Sequence, residues 1–318
     1  MFLIWHWLLM VLPFALWGTA MAAMAPLVST ADPLVVASLR LLPAGVILLV
    51  AVPILGRKWS IDSGDLLWFV IFTFVDASLF QLCLARGLVE TGAGLGSVII
   101  DSQPLMVALL ARSLFGDAIN PIGWVGLFIG LLGILCLGVP PEILNNWWLM
   151  GESVAVSNLW SNGEVWMLAA AVSMALGTVL IRFCCSKSDP VSVTGWHMVL
   201  GSFPLIIWHA FDKNWNFLPD WTTFEWGLMA YASLFGSALA YGLFFWFANR
   251  EELTTFSTLA FLTPVFALAS GGIWLGERLQ FLQWIGAFLV LVSVVLVSQR
   301  SRFWHPNVSE ADGLEEGA

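Results

Sequence analysis

Charge is what this sequence has least of. Only 10% of its 318 residues are Asp, Glu, Lys or Arg, against about 25% in an ordinary soluble domain, and that scarcity excludes a soluble fold. Lysine is confined to Lys58, Lys187 and Lys213. None of them closes a G-x-x-x-x-G-K-[ST] loop, so no ATPase engine is expected. The four cysteines, Cys83, Cys136, Cys184 and Cys185, contain no C-x-x-C pair and fall within or at the ends of apolar runs, which argues against a zinc site or a disulfide framework. No metal, cofactor or nucleic-acid partner is expected. The glycine run Gly92-Ala93-Gly94-Leu95-Gly96 follows a helical pattern rather than a strand, so it reads as close helix packing and not as a dinucleotide loop. A basic region ahead of the first apolar segment is also missing, so that segment is expected to remain as a span although Ala20-Met21-Ala22 resembles a cleavage site.

What is present is apolar sequence, at 59% of residues. A hydrocarbon slab takes about 20 residues to cross as a helix, and the runs between turn signals place spans near 5–27, 33–55, 65–86, 93–115, 121–139, 163–183, 190–211, 225–249, 252–275 and 280–299. The expected fold is an all-α polytopic membrane protein of ten transmembrane helices. With both termini cytoplasmic, the inner connections hold Arg57, Lys58, Arg112, Arg182, Lys187, Arg250, Arg300 and Arg302, and the outer ones only Arg86, Lys213 and Arg278, which sets the orientation. The long connection 140–162 carries Trp147, Trp148 and Trp160 and reads as an external interfacial segment. Residues 301–318 form a polar, acidic cytoplasmic tail. The expected location is the cell inner (plasma) membrane.

Sliding the chain along itself reveals a repeat. Pro104, Gly116-Asp117, Trp124 and Gly126 recur as Pro264, Gly276-Glu277, Trp284 and Gly286, offset by 160 residues, and Asp32-Pro33 recurs as Asp189-Pro190, offset by 157. Residues 1–139 and 163–300 are therefore two five-helix units. Because five is odd, the second enters the membrane from the opposite side, which is the inverted-repeat design associated with alternating access.

Residues at or near midplane carry the functional reading. Pro104 and Pro264 fall in the middle of the fourth and ninth spans, and each removes a backbone hydrogen bond, freeing the carbonyls of Ile100 and Ala260 toward a cavity between the halves. Charge inside the spans is sparse and therefore informative at Arg40, Asp76 and Asp101, and each is costly there. Arg40 and Asp101 lie at roughly matching depths of about 10 and 12 Å, so they are expected to pair. Asp76 is then left without an obvious cation and becomes the proton-sensitive element, alone or coupled to Asp101. His197 occupies the position of Arg40 in the second half, beside Trp196, and titrates near physiological pH. Ser233, Ser237 and Tyr241 recur every four residues and share a face, with Gln81 opposite Tyr241. Gln103 and these groups are the expected pathway lining. Gly126, Gly130 and Gly133 form a small-residue helix contact.

These residues resemble the EamA-type branch of the drug/metabolite transporter superfamily over nearly the whole chain. The resemblance rests on Leu16-Trp17-Gly18-Thr19, on Arg40, on Pro104 with Gly116-Asp117, and on the run from Pro264 to Gly276-Glu277, Trp284 and Gly286. The strings Gly94 to Pro104, Thr194-Gly195-Trp196-His197-Met198 and Phe235-Gly236-Ser237-Ala238 look like cyanobacterial and plastid members, and with no transit-like segment ahead of the first span a bacterial chain is expected. The resemblance implies a five-plus-five inverted repeat, a central cavity, and export or exchange of small polar metabolites such as amino acids. The expected function is a secondary transporter, not an enzyme, with a proton as candidate coupling ion, acting as a monomer or homodimer. The competing readings are a membrane scaffold or receptor, and an intramembrane enzyme built on Asp76, Asp101 and His197.

Overall fold

In the computed structural model, residues 2–28, 30–87, 99–138, 162–212, 218–274 and 281–300 are described. The connection at 140–161, the tail, the Gly92–Gly96 run and the Gly276-Glu277 landmark lie outside them. Ten helical segments are used as labels: α1 Phe2–Val28, α2 Pro33–Ile54, α3 Leu66–Gly87, α4 Gln103–Phe115, α5 Pro121–Gly138, α6 Asn162–Cys184, α7 Pro190–Asp212, α8 Thr223–Ala248, α9 Leu253–Trp274 and α10 Phe281–Ser298. Eight are long and apolar enough to cross a membrane, while α4 and α5 are shorter apolar helices. The protein is thus a multi-pass helical membrane protein. An outer belt of exposed apolar side chains, including Leu67, Phe128, Phe211 and Phe288, is the surface that a bilayer would solvate.

Helix starts follow elementary capping chemistry. Asp32 precedes Pro33, and its carboxylate accepts from the Leu34 amide at 2.9 Å. Asp189 does the same before Pro190, accepting from Val191 at 2.9 Å. Both satisfy an amide that a helix N-terminus leaves orphaned. Thr222 and Glu225 close a capping box at α8, and Gly116 ends α4 at a left-handed φ of 71°.

Glycines set how closely the helices cross. A Cβ on Gly133 of α5 would stand 3.0 Å from the Gly286 carbonyl of α10, and one on Gly45 of α2 would stand 2.8 Å from the Gly195 carbonyl of α7. At both crossings backbone meets backbone, the close approach that small residues permit in membranes. The expected contact face of Gly126, Gly130 and Gly133 is directed at α10 and Phe261.

The expected inner basic residues gather at one end of the bundle. Arg57 pairs with Asp189 at 2.6 Å, Arg182 donates to the Ala248 and Glu251 carbonyls, and Arg300 pairs with Glu252. Asp65, covered by the loop between α6 and α7, accepts from the Ser186 hydroxyl at 2.7 Å and from the Lys187 and Ser188 amides at 2.9 and 2.8 Å. Burial by itself would raise the Asp65 pKa, but these hydrogen bonds outweigh it and hold the carboxyl below its ordinary value. At the opposite end Trp221 donates to Thr30 at 3.1 Å and the Arg86 guanidinium stands over Trp208.

Two pairs of helices are irregular in the same way. The fourth-span region is interrupted beside Pro104, where a break was expected, and it takes the form of a fresh helix start. Ile99 and Ile100 are helical, Asp101 and Ser102 form a turn, and α4 starts afresh at Gln103. Pro104 therefore sits in a first turn, where its missing amide costs nothing. In α9, a 3-10 turn at Leu259–Phe261 separates Leu253–Thr258 from Leu262–Trp274. Both α3 and α8 contain a π-helical turn, Thr73–Leu79 and Leu234–Leu239. Phe80 N–H donates to the Val75 carbonyl, and Ala240 N–H to the Phe235 carbonyl, five residues back in each.

Candidate functional site

A cavity of about 90 Å³ lies where α1, α2, α3, α8 and the breaks before α4 and in α9 converge. Its polar lining is Arg40, Asp101, Gln103, Tyr241 and Thr263, with Trp17 and Gly236 completing the wall.

Arg40 and Asp101 share this cavity, but among the described residues they make no ion pair. They line one cavity without their side chains pairing. The Arg40 guanidinium reaches only the Met24 sulfur at 3.7 Å, and its Nε has no hydrogen-bond partner. The Trp17 Nε1–H also lacks one. Two N–H donors thus border one small chamber unpaired, although a charged side chain inside a span costs about 3 kcal/mol on insertion scales. Gln103 is held at the edge by donating to the Thr178 hydroxyl at 3.0 Å.

Asp76 is not left alone, contrary to the sequence reading. The α3 π turn buries it to 2% exposure against α7, where His197, 1% exposed, places Nε2 3.1 Å from Asp76 Oδ2. Long-range packing that no local pattern encodes supplies this partner. The imidazole is held from its other side, because Nδ1 lies 2.6 Å from the Thr194 carbonyl, which can only accept. Phe72 lies over the ring with centroids 4.5 Å apart, and Phe245 meets it edge-on at 5.5 Å. The pair sits outside the cavity wall, next to Tyr241, whose hydroxyl bonds Gln81.

The remaining expected lining residues disperse. Trp196 donates its indole N–H to the Trp59 carbonyl at 3.0 Å, near the basic end. Ser233 donates to the Arg40 carbonyl at 2.9 Å, Ser237 is fully buried, and Tyr241 faces the cavity. The π turn between Ser233 and Tyr241 explains why they do not act as one stripe, since its longer period rotates what a 3.6-residue period would align. Pro104 is buried behind Gln103, and Pro264 follows the α9 break. Trp17, Thr178 and Thr194 were not singled out as site residues. Trp17 was visible in the Leu16-Trp17-Gly18-Thr19 motif, whereas the roles of Thr178 and Thr194 exist only through contact.

Broken apolar spans around a cavity with a few polar groups on its wall define the class: a polytopic helical membrane protein with a cavity inside the bundle. A model of the EamA-like transporter family matches residues 4–139 and again 161–299. A Synechocystis protein described as an uncharacterized transporter is 46% identical over 93% of this chain and 90% of its own length. A chloroplastic WAT1-related protein of Arabidopsis thaliana is 44% identical over 92% and 69%. A crystal structure matches with a TM-score of 0.77 at 16% identity, over 93% of this chain and 97% of the other, which concerns fold alone. The chain belongs to the EamA-like transporter family.

Proposed function

We propose that the protein is a secondary transporter that moves a small polar organic metabolite bearing a carboxylate, an amino acid or a relative of one, by alternating exposure of the chamber. The observation that carries this reading is Arg40, which lines the cavity with its Nε buried and unpartnered and with no carboxylate paired to the guanidinium. The repeat gives a physical reason. Arg40 corresponds to His197 and Asp76 to Gly236, so where the second-half imidazole meets Asp76, the first-half guanidinium meets a glycine and an opening. A substrate carboxylate would occupy the missing acid's place, with the Trp17 N–H as a second donor and Asp101 across the chamber to receive an ammonium group.

Packing that repeats when the halves are exchanged supports the two-unit, inverted design: α5 with α10, α2 with α7, α1 with α9 and α6 with α4, α3 with α7 and α8 with α2. Two broken helices and two π turns at positions 160 residues apart fit the same scheme. The basic end is assigned to the cytoplasm of a cell inner membrane on the excess of Lys and Arg.

Purified protein in proteoliposomes, tested by counterflow with a panel of radiolabelled amino acids, decides among the readings. Arg40-dependent movement of an intact solute is the expected result. Chemical conversion would indicate an enzyme, and neither movement nor conversion a scaffold. Arg40→Met is expected to lower flux about 100-fold, the loss of a bidentate charged hydrogen bond worth about 2–3 kcal/mol.

A further inference from the structure

We propose that Asp76 and His197 form a proton-binding latch between the two halves, closed while one shared proton sits between them and opened when that proton leaves. This deepens the transporter reading and rests on it for its role in a cycle, but its chemistry rests on the local geometry.

The Thr194 carbonyl fixes one proton on His197 Nδ1. The contact from Nε2 to Asp76 Oδ2 at 3.1 Å then needs a second proton, either on Nε2 with an ionised carboxylate or on Asp76 with a neutral imidazole. Both forms are net neutral, which suits a site 1–2% exposed between Phe72 and Phe245. Removing the shared proton breaks one N–H or O–H bond and passes the proton to water. It leaves a carboxylate facing the lone pair of Nε2. In a low-dielectric interior those two acceptors repel and neither has a replacement donor at that contact, so the halves separate there.

The surroundings leave this proton to the pair. From α6, Gly177 backs Asp76 so tightly that a Cβ would stand 2.0 Å from Oδ1, and the other titratable group toward that end, Cys184, is fully buried. From α8, Tyr241 shares the cavity wall with Arg40 of α2, its hydroxyl engaged with Gln81. On α3 the other titratable groups are Cys83, packed in a separate apolar cluster, and Arg86, beneath which lies Trp208. On α7, His209 faces Asp32 at the far end. No lysine or arginine side chain forms an ion pair with Asp76 among the described residues. Release through Tyr241 would lead to the chamber that holds the cargo.

The test uses the full chain in lipid nanodiscs without cargo, carrying ¹⁵N-histidine, as pH is raised. The ring signal absent from His197→Gln is expected to pass from a shared-proton shift to that of a free neutral imidazole. Amide exchange across 73–79 should rise at least about tenfold over the same window, relative to Asp76→Asn at equal pH. Asp76→Asn donates its amide to Nε2 and should hold the latch shut at every pH; Asp76→Ala should leave it open at every pH. No change in wild type, a ring change without the exchange change, or the same response in Asp76→Asn overturns the proposal. Because no flux is read, such a result leaves the Arg40 chamber standing, while failure of Arg40-dependent counterflow would sink the transporter reading and not the latch.

Discussion

Helices α3 and α8 share a π-helical turn at corresponding positions, and they use it oppositely. In α3 the turn presents Asp76 to a gap left by Gly177 on α6, while in α8 it presents Gly236 to Ala20 on α1, where an added Cβ would lie 2.4 Å from the alanine methyl. Ala20 and Gly177 are themselves counterparts at the 157-residue offset. The large and small partners are exchanged between the halves. The backbone device is the same, but one copy makes a sealed acid–imidazole contact and the other leaves room beside Arg40. Residues that differ at two matched positions set a contact in one helix and a cavity wall in the other.

Making α8 resemble α3 should have the largest effect. In the double variant Ala20→Gly/Gly236→Asp, the glycine makes space and the new carboxylate neutralises Arg40. The protein should retain a cooperative melt in detergent while amino-acid counterflow falls by more than about 100-fold. If flux persists, Arg40 does not read the cargo. Making α3 resemble α8 is next. Gly177→Ala forces Asp76 off His197 by overpacking, which costs about 1–3 kcal/mol, seen as a drop in Tm together with loss of the pH response of the 73–79 amides. A Tm unchanged from wild type would show that the gap does not hold Asp76 in place.

A subtler change keeps shape and removes the proton. Asp76→Asn should flatten the pH profile of counterflow and slow it by about tenfold at the wild-type optimum, an effect of roughly 1.4 kcal/mol; an unchanged profile would remove Asp76 from the proton step. The smallest effect on flux is expected at Asp65, which clamps the basic end rather than either π turn. Its folded-state pKa lies below the unfolded value, so its stabilisation is fully present above about pH 4 and fades as pH falls through the lower folded value. Asp65→Asn should cost about 2 kcal/mol at neutral pH and make thermal unfolding less sensitive to acid below pH 4, with flux within about twofold of wild type. If its acid sensitivity equals that of wild type, the clamp does not depend on the ionised carboxylate.

Much of this was legible beforehand because the signals are local or periodic. Apolar runs, Asp-Pro starts and the recurrence of Pro104 as Pro264 depend only on neighbours along the chain or on the repeat. The expectation of matching depth for Arg40 and Asp101 rested on a fixed rise per residue, and depth says nothing of the angle around a helix. Their expected ion pair therefore failed while their shared cavity emerged. The stripe of Ser233, Ser237 and Tyr241 was read with a 3.6-residue period that the π turn interrupts.

By itself the sequence determined that this is a multi-pass helical membrane protein, because hydrocarbon tolerates so few arrangements of backbone and charge, and its motifs carried the resemblance to the EamA-like family. Only the tertiary structure decided which buried charges meet. Asp76 and His197 are 121 residues apart in sequence yet 3.1 Å apart in space, and that distance depends on how tightly α3, α6 and α7 can pack against Gly177, a property of three surfaces together and of none alone.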